Sequence, residues 1–263
     1  MAKKEQFNHR EYTVIDESSP FDLKEAYNAL RTNLLFVIGA RKTNIVVFTS
    51  GYVAEGKTST CANIALSFAM AGAKSLVIDA DMRKPKIHRV FNVNMSPGLS
   101  DVLCGNVTDD TIQKTKYDNL YVMSVGKIPP NPAELLVSTN MEKMLDVVSE
   151  SFDYVFIDTP PVGVVTDAAV VARRAGGAVL IVRKGRSRKE GVLAAKNALE
   201  QAGTGIIGYV FTDIDNDNAS YRGGYYSNYG YGYGYDYSNS YGHGYGTSNV
   251  IKNSEKGEDK EGK

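Results

Sequence analysis

The octet Gly51-Tyr52-Val53-Ala54-Glu55-Gly56-Lys57-Thr58 constrains this chain more than any other stretch. It fits the pattern G-x-x-x-x-G-K-[ST], in which the glycines let the backbone wrap a phosphate and the following helix N-terminus supplies positive potential. Lys57 then reaches the β/γ oxygens and Thr58 offers a hydroxyl to Mg²⁺. Such a loop works only between a strand and a helix. Here the apolar run Ile45-Val46-Val47-Phe48 precedes it, and a helical stretch, Thr58 to Ala71, follows and closes at Gly72. The nucleotide-contacting candidates are Gly51, Glu55, Gly56, Lys57, Thr58 and Ser59.

Two further apolar runs end in carboxylates. Ser75-Leu76-Val77-Ile78 leads into Asp79-Ala80-Asp81-Met82-Arg83, where strand alternation points Asp79 and Asp81 the same way, toward the carboxyl edge where sheets bind ligands. Tyr154-Val155-Phe156-Ile157 leads into Asp158-Thr159-Pro160-Pro161. An acid at a strand end is ordinarily only a turn signal. Beside a phosphate loop, three of them form a catalytic candidate set: Thr58, Asp79 and Asp158 for Mg²⁺, with Lys57, Asp79 and Asp81 for chemistry. Arg83 either orients a phosphate or braces the carboxylates.

The rest of the sequence supplies a scaffold for these ends. Strands are expected at Ile45 to Thr49, Ser75 to Asp79, Leu120 to Val125, Tyr154 to Asp158, Ala178 to Val182 and Ile206 to Phe211, each apolar on both faces. Between them, helices are expected at Thr58 to Ala71, at Pro132 to Val148 (opened by Asn131 with Glu134 in capping-box position), and at Gly191 to Ala202. A first amphipathic helix, with Ser19 as N-cap and Pro20 at its first position, carries Leu23, Ala26, Tyr27, Leu30 and Leu34 on one side. The expected fold class is α/β, a doubly wound, mostly parallel sheet flanked by helices.

Domain limits follow from composition. Residues 1–18 read as a flexible arm, 19–215 as one folded domain, and 216–263 as a tail. The tail lacks aliphatic residues from Tyr221 to Tyr245 and is rich in glycine, so disorder is expected there. It holds ten of the 17 tyrosines: Tyr221, Tyr225, Tyr226, Tyr229, Tyr231, Tyr233, Tyr235, Tyr237, Tyr241 and Tyr245. The 30 basic and 30 acidic side chains balance, which argues against a nucleic-acid partner. Cys61 and Cys104 have no metal-ligand spacing and read as free thiols of a reducing cytosol. Neither a signal peptide nor an apolar run of membrane length is visible, so a cytoplasmic location is expected.

Together the three strand ends and the tail resemble the bacterial tyrosine kinases of capsular and exopolysaccharide synthesis. Their three nucleotide motifs, the A, A′ and B motifs of a P-loop NTPase fold, fall on Gly51 to Thr58, Ser75 to Arg83 and Tyr154 to Pro160. The likeness also takes in Gly126 to Leu136 (Gly-Lys-Ile-Pro-Pro-Asn-Pro-Ala-Glu-Leu-Leu). It implies ATP and Mg²⁺ as cofactors, Asp81 accepting the proton of an incoming phenol, and phosphorylation of the tail tyrosines between subunits of a homo-oligomeric ring. It also implies a separate transmembrane polysaccharide co-polymerase adaptor, recruitment by it to the inner membrane face, and a cognate tyrosine phosphatase. The chain departs from the family twice. Val53-Ala54 stands where Pro-Gly is usual, and Asn28 replaces the first arginine of a ring-forming Glu-x-x-Arg-x-x-Arg pattern, leaving Glu25 and Arg31 as the interface candidates. The competing expectation is a partition- or division-site ATPase, which shares the fold but carries an extra lysine early in the loop; Tyr52 to Glu55 contains none.

Overall fold

Seven strands build one sheet in the computed structural model, which describes residues 14–41 and 43–214. They are β1 (Ile45–Ser50), β2 (Ser75–Asp79), β3 (Gln113–Lys114), β4 (Leu120–Met123), β5 (Tyr154–Asp158), β6 (Ala178–Arg183) and β7 (Ile206–Thr212). Their spatial order is β3-β4-β2-β5-β1-β6-β7, and every pairing is parallel except β3 with β4. All six expected strands are present. The short antiparallel edge β3 is too brief to leave a periodic signal.

Helices cover both faces. On one side lie α1 (Phe21–Gly39), α2 (Lys57–Met70) and α3 (Ile87–Phe91), packed over Val46, Phe48, Val77, Val122 and Phe156. On the other lie α4 (Leu99–Leu103), α5 (Pro132–Val137), α6 (Thr139–Ser151), α7 (Asp167–Ala175) and α8 (Lys189–Gln201), over Val47, Ile78, Met123, Val155 and Leu180. Two buried faces explain why the inner strands read as unbroken apolar runs, whereas β7, expected to be buried on both sides, is the sheet edge and leaves Tyr209 and Phe211 exposed. The rings of Phe68 and Phe156 sit 5.1 Å apart at the centre of the first layer, so Phe156→Ala should cost about 3–5 kcal/mol.

Three local expectations change. The helix expected from Pro132 to Val148 is two helices, because Ser138 leaves helical geometry (φ −60°, ψ 156°) and caps α6 by accepting from the Met141 amide. Asn131 precedes α5 without capping it by its side chain, its amide donating to the Glu134 carboxylate instead. Pro20 rather than Ser19 is the N-cap of α1, since Ser19 closes a turn with Asp16. Packing also reaches into the segment read as an arm: Ile15 is buried, and its amide donates to Asn63 Oδ1 at 2.7 Å. The ten tail tyrosines lie outside the described residues. No described helix is long and apolar enough to cross a membrane.

Candidate active site

The strand order decides what meets at the carboxyl edge. Although β1 and β2 are joined by α2, β5 lies between them, with Phe48 of β1 opposite Asp158 and Asp158 opposite Asp79 of β2. Three motifs separated by up to a hundred residues are therefore side by side. Strand alternation puts Asp79 and Asp158 on the α2 face, where the first turn of that helix carries Lys57, Thr58 and Ser59.

The phosphate loop presents an open helix end. Gly56 takes a left-handed conformation (φ 94°) as N-cap of α2, and no side chain caps that end, as an anion site requires. Thr58 Oγ1 donates to Asp158 Oδ2 at 2.6 Å, and Lys57 Nζ lies 3.3 Å from Asp81 Oδ2, all four side chains being buried. The outer half of the loop is held by distant elements. Glu55 is buried and accepts from the Tyr52 amide and the Ser187 hydroxyl, so its carboxylate is a brace for the loop. Thr212 Oγ1 donates to the Glu55 carbonyl at 3.0 Å, and Arg183 reaches the Ala54 carbonyl at 3.1 Å while pairing with Asp213. Gly51 is packed between Gly163 and Gly191, where a Cβ on Gly51 or Gly163 would collide with backbone and one on Gly191 with the Tyr52 ring.

The second loop, residues 79–87, is organised by its own acids. Asp79 accepts from the amides of Asp81 (3.2 Å), Lys86 (2.9 Å) and Ile87 (3.0 Å), and Asp81 Oδ1 accepts from the Lys84 amide at 3.0 Å. Arg83 forms a two-pronged pair with Asp167, Nε to Oδ2 at 2.9 Å and Nη2 to Oδ1 at 3.2 Å. It braces a carboxylate, one that sequence reading did not single out. Asp167 opens α7, a helix hidden in the sequence by its length of nine residues.

Electrostatics identify what the site lacks. Burial, then the neighbouring Asp158, pushes Asp79 up to about 8, against the opposing pull of the Ile87 and Lys86 amides. Burial likewise raises Asp158, although Lys57 and the Thr58 hydroxyl oppose it. Burial works against the Lys57 charge, yet Asp158 and Asp81 outweigh it and the ammonium is held more tightly than usual. Burial first, then Asp158 and Asp79, drives the Cys61 thiol well above its ordinary range, so it is no nucleophile. One lysine against three buried acids leaves the site short of positive charge.

A magnesium ion fits that deficit. Asp158 Oδ1 is buried without a hydrogen-bond partner, and the adjacent Thr58 hydroxyl completes a hard oxygen set. Asp79 is less available, since its oxygens already accept three amides. Among the described residues no three His, Cys, Asp or Glu side chains are arranged as a metal cage, which suits an ion completed by phosphate oxygens and water. On the far face, an apolar hollow of ≈ 440 Å³ beside Val102, Met123 and Met144 holds none of these groups.

The expected interface residues are partly engaged within the chain. Arg31 donates to Ser67 O at 2.7 Å and to its Oγ at 3.1 Å, tying α1 to α2, while exposed Glu25 accepts from Asn28 Nδ2 at 2.8 Å. Sequence reading also missed Ser187, Arg183, Thr212 and Gly191 as supports of the loop, because nothing in their spacing relates them to residues 51–58.

Comparison with known proteins agrees with this geometry. An AAA domain family model matches residues 44–194. The tyrosine-protein kinase CpsD of Streptococcus agalactiae is 39% identical over 209 residues, covering 79% of this chain and 90% of the relative. The kinase domain of the Escherichia coli tyrosine kinase Etk superposes with a TM-score of 0.69 at 34% identity, covering 81% of this chain and 80% of that one. The cell division ATPase MinD of Pyrococcus furiosus is more distant, with a TM-score of 0.55 at 26% identity over 64% of this chain and 71% of that one. Three adjoining strand ends and this extent of likeness place the chain in the family of bacterial tyrosine-protein kinases with a P-loop NTPase fold.

Proposed function

We propose that the protein transfers the γ-phosphoryl group of ATP to tyrosines of its own tail, between subunits, and thereby regulates capsular or exopolysaccharide synthesis and export. The observation that carries the reading is the register Phe48, Asp158, Asp79, which gathers a lysine, a hydroxyl and three acids around one phosphate site. Phosphoryl transfer asks a protein mainly to align groups and neutralise charge. When bound, Mg²⁺ would neutralise the phosphate oxygens, with Thr58 and Asp158 as its protein-side holders and Asp79 behind them. Lys57 now contacts Asp81; moving onto the phosphates would free that carboxylate to orient the incoming phenol and take its proton. An aspartate is a weak base toward a phenol, so orientation is the larger part of its work.

The ten tail tyrosines supply the acceptors in this reading, and their full modification adds a charge of about −15 to −20. That charge would drive a ring of subunits apart. Exposed Glu25, Phe21 and Phe36 on α1 suit a subunit contact, whereas Asn28 in place of arginine weakens it. Mass measurement should therefore show no stable octamer without nucleotide. Docking to a separate transmembrane adaptor, recruitment to the membrane and reversal by a tyrosine phosphatase complete the proposal. The test is incubation with Mg-ATP beside Lys57→Met, with phosphate mapped by mass spectrometry. Labelling of the tail in wild type alone is expected. ATP hydrolysis with no phosphotyrosine would favour the division-site ATPase reading, which the MinD-like fold keeps in play.

A further inference from the structure

We propose that Asp167, acting through Arg83, is the positioning residue that holds Asp81 in place for the incoming phenol; this rests on the kinase reading above. Asp167 is almost wholly hidden, its side chain 1% exposed, whereas the Arg83 side chain is 44% exposed at the surface end of the pair. Both Asp167 oxygens are used by one guanidinium, the Nε–Nη2 edge against the carboxylate fork, which fixes direction as well as distance.

The two partners belong to different frames. Arg83 sits two residues beyond Asp81, in a loop whose own amides donate to Asp79 and Asp81, and which is also anchored by the Ala80 amide donating to Asp158 O at 2.8 Å and by buried Ala80 and Met82. Asp167 opens α7, whose Ala168, Val171 and Ala172 are buried in the core below β1. The segment leading into α7 is fastened to the phosphate loop's own strand. Thr159 Oγ1 donates to Phe48 O at 2.7 Å, the Val162 amide donates to Ser50 O at 2.9 Å and to Thr49 Oγ1 at 3.1 Å, and Gly163 lies against Gly51. The Arg83–Asp167 pair is thus a strut from the acidic loop to the frame that carries the nucleotide.

The strut matters most once nucleotide is bound. Asp81 is paired with Lys57 at 3.3 Å and loses that contact when the lysine turns to the phosphates. What then holds the carboxylate is the Lys84 amide, the neighbouring Ala80 amide bonded to Asp158 O, and the strut two residues away. Without the strut the loop keeps its internal bonds and its anchors at Ala80 and Met82, but the turn beyond Met82 loses its fixed direction. A displacement of about 1 Å at a reacting group costs on the order of 100-fold in rate. Nucleotide affinity, set by the loop at 51–58, should be untouched.

The full chain tests this as Asp167→Asn, Arg83→Lys and the double variant Arg83→Gln/Asp167→Asn, with thermal unfolding recorded alongside tail-phosphorylation kinetics. Asp167→Asn and the double variant should lower kcat about 10- to 100-fold with the KM for ATP within twofold of wild type, and should not be additive. Arg83→Lys, which keeps the charge and loses the fork, should recover part of that loss. Wild-type kcat in Asp167→Asn, or a loss appearing only as a raised KM for ATP, would overturn the proposal. If Asp167→Asn does not fold, Arg83→Lys decides, because its partly exposed side chain can be changed without emptying the core. A wild-type enzyme that hydrolyses ATP but labels no tyrosine brings down the kinase reading and this inference together; equal labelling by wild type and variants brings down the inference alone.

Discussion

The two loops that meet over the sheet are restrained in opposite ways. Residues 51–58 are gripped from outside, by Ser187, Arg183, Thr212 and the close approach of Gly163 and Gly191. Residues 79–87 are tied largely to themselves, by four amide bonds to Asp79 and Asp81 that stay within the loop, while the Ala80 amide on Asp158 O and the strut to α7 reach outside it. A loop that must present backbone amides to phosphate gains from being immobile. In the proposed transfer, a loop whose acid exchanges Lys57 for a phenol needs a fixed base with a movable tip.

The contrast can be broken at its strongest point first. Lys57→Met should reduce phosphoryl transfer by about 10³-fold, read as incorporation of labelled phosphate, with the Asp79 loop unchanged in hydrogen-exchange protection. If transfer survives, the externally held loop is not the phosphate cradle.

A smaller effect is expected from Gly191→Ala. A Cβ there would lie 2.0 Å from Tyr52 Cε2, so the partly exposed Tyr52 ring must move, and ATP affinity should fall about threefold by titration calorimetry. Pairing it with Tyr52→Ala should restore most of the loss. Failure of that rescue would mean the grip on the loop is not steric.

The self-tied loop has a pH signature. With Asp79 at about 8 in the folded chain, well above an ordinary carboxyl, the native state keeps a proton that the unfolded state has released. The stability contribution is full below about pH 4 and is lost as pH rises through 8. Asp79→Asn removes the titration, so the variant's Tm minus that of wild type should grow from pH 5 to pH 8.5. Saturating Mg-ATP should shrink the growth, and a constant difference would refute the assignment.

The smallest effect concerns Ala54, which takes φ 60° where a side chain is disfavoured. The backbone keeps the left-handed turn that glycine would adopt, and alanine bears a strain of about 1 kcal/mol. Ala54→Gly should raise stability by about 0.5–1 kcal/mol in denaturant titration and leave ATP affinity unchanged.

What could be read from the sequence was whatever is periodic or local. The strands at 45, 75, 120, 154, 178 and 206 show themselves because both faces are apolar, and Lys57, Thr58 and the three acids because they sit at strand ends. The break at Ser138 was hidden because its neighbours keep a helical apolar spacing and only the serine's cap reveals it. Asp167 and Ser187 were hidden for another reason. Each is defined by a partner 84 or 132 residues away, and pairing at such range leaves no pattern along the chain.

The insertion of β5 between β1 and β2 also dictates when the site can exist. On a ribosome Lys57 emerges about a hundred residues before Asp158 and the first acids about eighty, and until β5 is in place the edges of β1 and β2 that it joins face no partner. At synthesis rates of roughly 5–20 residues per second, nascent chains spend many seconds with a complete motif but no pocket. Nucleotide can favour folding only after the middle of the sheet has closed, so ATP rewards the finished domain and not its beginnings.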